Sequence, residues 1–90
     1  MTVSLNTAFL LMAQYNGAAV IPIDKVRDDY FSHLTTEKLV RKISAGDIAL
    51  PLVRIEASER CAKGVALADL ATYLDERMSA ARKECRQLCG

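Results

Sequence analysis

The stretch that decides the fold is Thr35-Thr36-Glu37-Lys38-Leu39-Val40-Arg41-Lys42-Ile43-Ser44-Ala45-Gly46, read with the two segments after it, Pro51-Leu52-Val53-Arg54-Ile55-Glu56 and Gly64-Val65-Ala66-Leu67. Thr35 is a good helix N-cap, Glu37 suits the positive first turn, and Gly46 suits a left-handed stop. Leu39, Val40 and Ile43 recur at helical spacing, while Lys38, Arg41, Lys42 and Ser44 take the opposite face. This predicts a helix over Thr36–Ala45. The two later segments are rich in β-formers, and the polar run Ala57-Ser58-Glu59-Arg60-Cys61-Ala62-Lys63 between them predicts a hairpin with an extended tip.

Upstream of that stretch, Asp24 reads as the cap of a helix over Lys25–Phe31, and Ser32-His33-Leu34 is a tight connection into Thr35. Two helices joined by about three residues, the second basic on its outer face, match a helix-turn-helix. A hairpin directly after the second helix then reads as a wing. Further out, Asn6 caps a helix over Ala8–Gln14 that Asn16-Gly17 stops. The β-rich run Ala18–Ile23 follows, with Pro22 confining it to an edge or a strand end. A long helix over Ala68–Leu88, with Asp69 near its start, closes the chain. The order is helix, strand, helix, helix, strand, wing, strand, helix. The expected fold is therefore α+β, mainly helical, a winged helix-turn-helix with a long C-terminal helix. Ninety residues make a single domain over 1–90, in which 79–90 is expected to be a helical extension used in dimerisation.

A helix entering the major groove needs small polar residues near its N-terminus to reach base edges and cations for phosphates or guanine. Thr35, Thr36, Lys38, Arg41 and Lys42 meet that need, and Arg54, Arg60 and Lys63 extend it into the wing. These eight residues are the expected contacts to double-stranded DNA. The same helix face also fits ordinary solvated charge, and only the adjoining basic hairpin favours DNA. Glu37, Asp47, Glu56 and Glu59 dilute the positive surface, and twelve Lys and Arg against eleven Asp and Glu leave a net charge of +1. Any electrostatic footprint must come from the distribution of charges, and one subunit alone should bind weakly at physiological salt.

A chain this short buries a thin core and often needs a partner subunit. Leu70, Leu74, Met78, Ala81, Cys85 and Leu88 recur at helical spacing on the last helix. Its first part should pack on the domain, and from Met78 onward it should run past the core. Met78, Ala81, Cys85 and Leu88, with Phe9, Leu10 and Met12 of the first helix, are the expected homodimer interface.

No enzyme, metal or cofactor reading survives the inventory of residues. His33 is the sole histidine, and in the turn it is better placed as a turn residue or phosphate contact than as a base. Asp28 and Asp29 diverge by about 100° on a helix and do not converge as an acid and base. The glycines at 17, 46, 64 and 90 are scattered and form no phosphate loop. Cys61, Cys85 and Cys89 show no C-x-x-C spacing, which argues against a zinc site. Three free thiols and no secretory signal imply a cytoplasmic protein. The longest apolar run, Ala8–Ala13, is too short for a membrane, and the flank Thr2–Asn6 carries no positive charge. No small-molecule substrate is implied.

Several stretches resemble the pyocin activator protein family: Asn6-Thr7-Ala8-Phe9-Leu10-Leu11-Met12-Ala13-Gln14-Tyr15, Val20-Ile21-Pro22, Tyr30-Phe31-Ser32-His33-Leu34-Thr35 and Leu50-Pro51-Leu52-Val53-Arg54-Ile55-Glu56-Ala57-Ser58. Gly64-Val65, Asp69-Leu70-Ala71 and Tyr73 continue the match, which runs from about Leu5 to Leu88. The resemblance implies a transcription activator of pyocin genes, which encode phage-tail-like bacteriocins, or of prophage genes, acting on repeated promoter boxes. It implies no role for individual residues. The element order is also similar to that of small phage excisionases, an analogy of fold alone. It keeps open an architectural, DNA-bending role. The near-neutral charge keeps open a third role, a protein-interaction module acting on a repressor or on RNA polymerase.

Overall fold

The computed structural model describes residues 6–89; Gly90 and the part of the uncharged flank before Asn6 lie outside the described residues. Among the described residues are four helices, α1 (Thr7–Gln14), α2 (Ile23–Tyr30), α3 (Thr36–Ser44) and α4 (Leu67–Cys89). Three strands, β1 (Val20–Pro22), β2 (Val53–Arg54) and β3 (Lys63–Ala66), form an antiparallel sheet in the order β1-β3-β2. The protein is thus α+β and mainly helical, with the early strand and the later pair in one small sheet.

Local chemistry explains most boundaries. Asn6 caps α1 by accepting a bond from the Phe9 amide at 3.2 Å, and Asn16 and Gly17 reverse the chain with positive φ. The sequence reading of α2 needs correction. The helix begins at Ile23 with Pro22 at its cap position, and Asp24 lies inside the first turn rather than capping it. Proline suits such a start because its fixed φ is already helical and its missing N–H would have had no partner. Phe31, expected inside α2, is its C-terminal cap and turns its ring into the core. Thr35 caps α3 by accepting from the Lys38 amide at 3.2 Å, and Gly46 ends the turn beyond it at φ +82°.

The strands are shorter than the β-rich runs. β2 keeps only Val53 and Arg54, paired with Gly64 and Lys63. Pro51 has no N–H to contribute to a ladder. One further rung, Ile55 N to Ala62 O at 3.0 Å, precedes the loop. Leu67, expected in the last strand, opens α4 instead, and its amide donates to Ala19 O at 2.9 Å. Gly64 is the central pairing residue, opposite both Pro22 and Val53. A Cβ there would lie 2.6 Å from the Ile21 carbonyl oxygen, so β1 and β3 approach at a distance that only glycine permits.

The core lies between the sheet and the helices. Ile21 and Val65 from the strands, Val26 from α2, Leu39 from α3 and Leu70 from α4 are its fully buried members. Leu39 and Ile43 bury the inner face of α3, with Val40 half-buried. α1 packs on α4, where Thr7 Oγ1 donates to the Asp75 carboxylate. It also reaches α2, where the Tyr15 hydroxyl donates to Asp29 at 2.5 Å and the Tyr30 hydroxyl to Gln14 Oε1 at 3.0 Å. Burial, and then the Asp29 carboxylate, push the Tyr15 phenol well above its ordinary pKa.

α4 has two parts. Leu67, Leu70 and Ala71 are buried, whereas every described residue from Asp75 onward is exposed. Its 23 residues span about 34 Å at 1.5 Å each. The molecule measures 49 × 27 × 18 Å, and its 14.8 Å radius of gyration exceeds the value of about 12 Å typical of a compact chain this long. The helix runs past the core from Asp75 onward.

Candidate functional site

The connection between α2 and α3 is held by a residue the sequence reading passed over. Arg27 Nε donates to Leu34 O at 2.7 Å and Nη2 to Ser32 O at 3.5 Å, so one guanidinium holds two carbonyls of the turn. Its Nη1 pairs with Asp28 at 2.7 Å. A second tie, Thr36 Oγ1 to Asp24 Oδ1 at 3.0 Å, joins the first turns of both helices. No local spacing announces these contacts, because Arg27 bonds carbonyls five and seven residues away through the fold.

The expected DNA-contact residues divide into groups. Thr35 is exposed, but its hydroxyl already accepts the capping bond. Lys38 and Arg41 share the outer face of α3 and are exposed. Thr36, Arg41 and Lys63 come together along a cleft of about 610 Å³ between α3 and the loop before β3. Asp24 and Glu37 line the same cleft, so its charge is locally balanced. Glu37 stands four residues before Arg41, the favourable order for a helical pair. Lys42 faces the other way, into a cleft of about 410 Å³ shared with His33, Tyr73 and Arg77. Arg54 and Arg60 are exposed on the hairpin and line neither cleft.

Lys63 requires a correction. It sits in β3, not in the tip, and its ammonium donates to Glu59 O at 2.7 Å and Cys61 O at 3.3 Å. A cation bound to two carbonyls of its own loop braces that loop and has less left to give a phosphate. Arg60 N to Ser58 Oγ and Cys61 N to Ser58 O, both at 3.2 Å, shape the same tip.

Elsewhere on the surface, apolar residues of α1 and α4 are open. Phe9 is 67% exposed and Leu88 80%, and Leu10, Met12 and Met78 are exposed to a lesser extent. Ala81, Cys85 and Cys89 are exposed as well, and the two thiols lie 3.8 Å apart. Ile55, at the base of the loop, is another exposed apolar side chain that the sequence reading had assigned to a strand. His33 is exposed, with its ring 6.3 Å from that of Phe31. No described helix is long and apolar enough to cross a membrane.

Fold and surface together define a small, mainly helical α+β protein, with hydroxyls and cations exposed on one helix and one loop. The chain belongs to the pyocin activator family: the model of the pyocin activator protein PrtN matches residues 7–81. It is a pyocin-related transcription activator, a regulatory protein rather than an enzyme. The match stops in mid-α4, short of the Leu88 to which the resemblance ran. Comparison with curated proteins and with solved structures returns no match.

Proposed function

We propose that this activator binds double-stranded promoter DNA sequence-specifically, as a homodimer in the cytoplasm, with α2 and α3 as a helix-turn-helix and the loop from Ile55 to Ala62 as a wing. The observation that most supports this is the outer face of α3. Its inner face is closed by Leu39 and Ile43, its N-terminus is fixed by Thr35, and Lys38 and Arg41 are exposed on its outer face, as Arg54 and Arg60 are on the hairpin. A rigid helix with cations outward and its entry turn clamped by Arg27 is suited to the major groove, and the wing cations to the backbone. Asp24 and Glu37 restrict where phosphate can lie. They favour a pose in which the tips of Lys38, Arg54 and Arg60 meet the backbone while the cleft faces base edges. Met78, Ala81, Cys85 and Leu88, with Phe9, Leu10 and Met12, supply the dimer contact, and 79–90 acts as its helical arm.

The test is fluorescence anisotropy on the pyocin or prophage promoter and on a scrambled duplex, at two salt concentrations. Tighter binding to the promoter, weakening with salt on both, supports the reading. Equal affinity for both duplexes moves the role to excisionase-like bending. The balanced charge of the cleft favours one other reading, a module that engages a repressor or RNA polymerase, and absence of binding to either duplex selects it.

A further inference from the structure

The exposed half of α4 carries a feature that transcription activation leaves unused. Cys85 and Cys89 are one turn apart on the helix, both are exposed, and their sulfurs lie 3.8 Å apart. At a metal–sulfur bond of about 2.3 Å, two corners of a tetrahedron lie about 3.8 Å apart. The pair therefore already spans one edge of a tetrahedral thiolate site. One chain supplies only that edge, and no described group of three or more His, Cys, Asp or Glu completes it.

A second copy of the chain supplies the opposite edge. Leu67, Leu70 and Ala71 bury one face of α4, and the same face continues outward through Met78, Ala81, Cys85 and Leu88 with nothing over it. From Leu74 these positions alternate four and three residues apart, the spacing of a two-helix seam. Parallel pairing covers the whole stripe of both copies and brings the two cysteine pairs to the same level.

We propose that Cys85 and Cys89 of two chains together form a four-thiolate site for a thiophilic divalent cation, zinc or cadmium, that locks the α4 arms of the dimer. Binding releases four thiol protons and the water of the cation, with no change of oxidation state. The site then carries two negative charges, and Arg82, Lys83 and Arg86 in the same turns outnumber the one acid there, Glu84. Both cysteines lie beyond the residues that the family model matches. The inference rests on the homodimer proposed above.

Cobalt(II) is the probe, added to full-length protein kept reduced by a phosphine. The expected result is tetrahedral cobalt–thiolate absorption that saturates at one ion per two chains. It should be lost in Cys85→Ser and in Cys89→Ser and retained in Cys61→Ser. Sedimentation should show the dimer tightening about a hundredfold when free cobalt stands at 100 times its dissociation constant. Absence of the thiolate band, saturation at one ion per chain, or a band that survives both serine variants would overturn the site. Metal-free sedimentation separates the two ideas. A metal-free dimer without a cobalt band removes the site alone, whereas a chain that stays monomeric with and without cobalt removes the dimer as well.

Discussion

α3 and the outer half of α4 are both amphipathic helices, yet the fold treats them in opposite ways. On α3 the apolar stripe is closed by the core, with Leu39 fully buried and Ile43 nearly so, and what remains outside is hydroxyls, cations and the Glu37 carboxylate. On α4 beyond Asp75 the stripe of Met78, Ala81, Cys85 and Leu88 is itself outside. Exposed lysine and arginine cost nothing in water, whereas a contiguous apolar stripe loses free energy until another surface covers it. The apolar face of α3 is closed within one chain. That of outer α4 is covered only in the dimer we propose.

The sharpest test of that contrast pairs two truncations. Leu39→Ala should destabilise the protein by about 2–5 kcal/mol in urea unfolding, since it empties a filled core site. Met78→Ala should change the stability of a dilute sample by less than about 0.5 kcal/mol, with a loss that grows as concentration rises. An equally large, concentration-independent loss at Met78 would break the comparison.

Two further variants separate fold from recognition. Gly64→Ala should cost about 1–3 kcal/mol of stability, because its methyl meets the Ile21 carbonyl and the sheet must open to admit it. Arg41→Ala should leave unfolding unchanged and weaken promoter binding by about 1–3 kcal/mol if the guanidinium reads a base. Unchanged affinity on every duplex would remove Arg41 from the reading set.

Smaller effects are expected where one hydrogen bond is at stake. Thr35→Ala should lower stability by about 0.5–2 kcal/mol through the lost cap, while Thr35→Ser retains it. Tyr15→Phe should cost about 0.5–1.5 kcal/mol and change the alkaline limb. The folded protein holds the Tyr15 proton above the pH at which an unfolded tyrosine, of pKa about 10, releases it. Stability from this group is therefore complete below about pH 10 and falls as pH rises further, and Tyr15→Phe should flatten that fall. A wild-type curve identical to that of the variant would show that the phenol is not held.

Much of this was legible in the chain itself. Caps at Asn6 and Thr35, stops at Gly17 and Gly46, and the stripe Leu39-Val40-Ile43 each state a local preference strong enough to place an element, and the fold kept all of them. The eight candidate contacts were legible only as residue types. Spacing along α3 does not reveal that Arg41 and Lys42 line different clefts, because that depends on where the loop and α4 pack against it. The same holds for Asp24, read as a cap and found bonded to Thr36 across two helices.

By itself the sequence determined which segments are helical, the caps of α1 and α3, which face of each helix is apolar, and the family to which the chain belongs. Those properties follow from short-range rules of capping, periodicity and backbone freedom. Tertiary structure alone decided that Gly64 must be a glycine, that Arg27 clamps the turn, and that Lys63 is spent on its own loop. Each depends on which atoms meet across tens of residues, and packing sets those distances rather than any local preference of the chain.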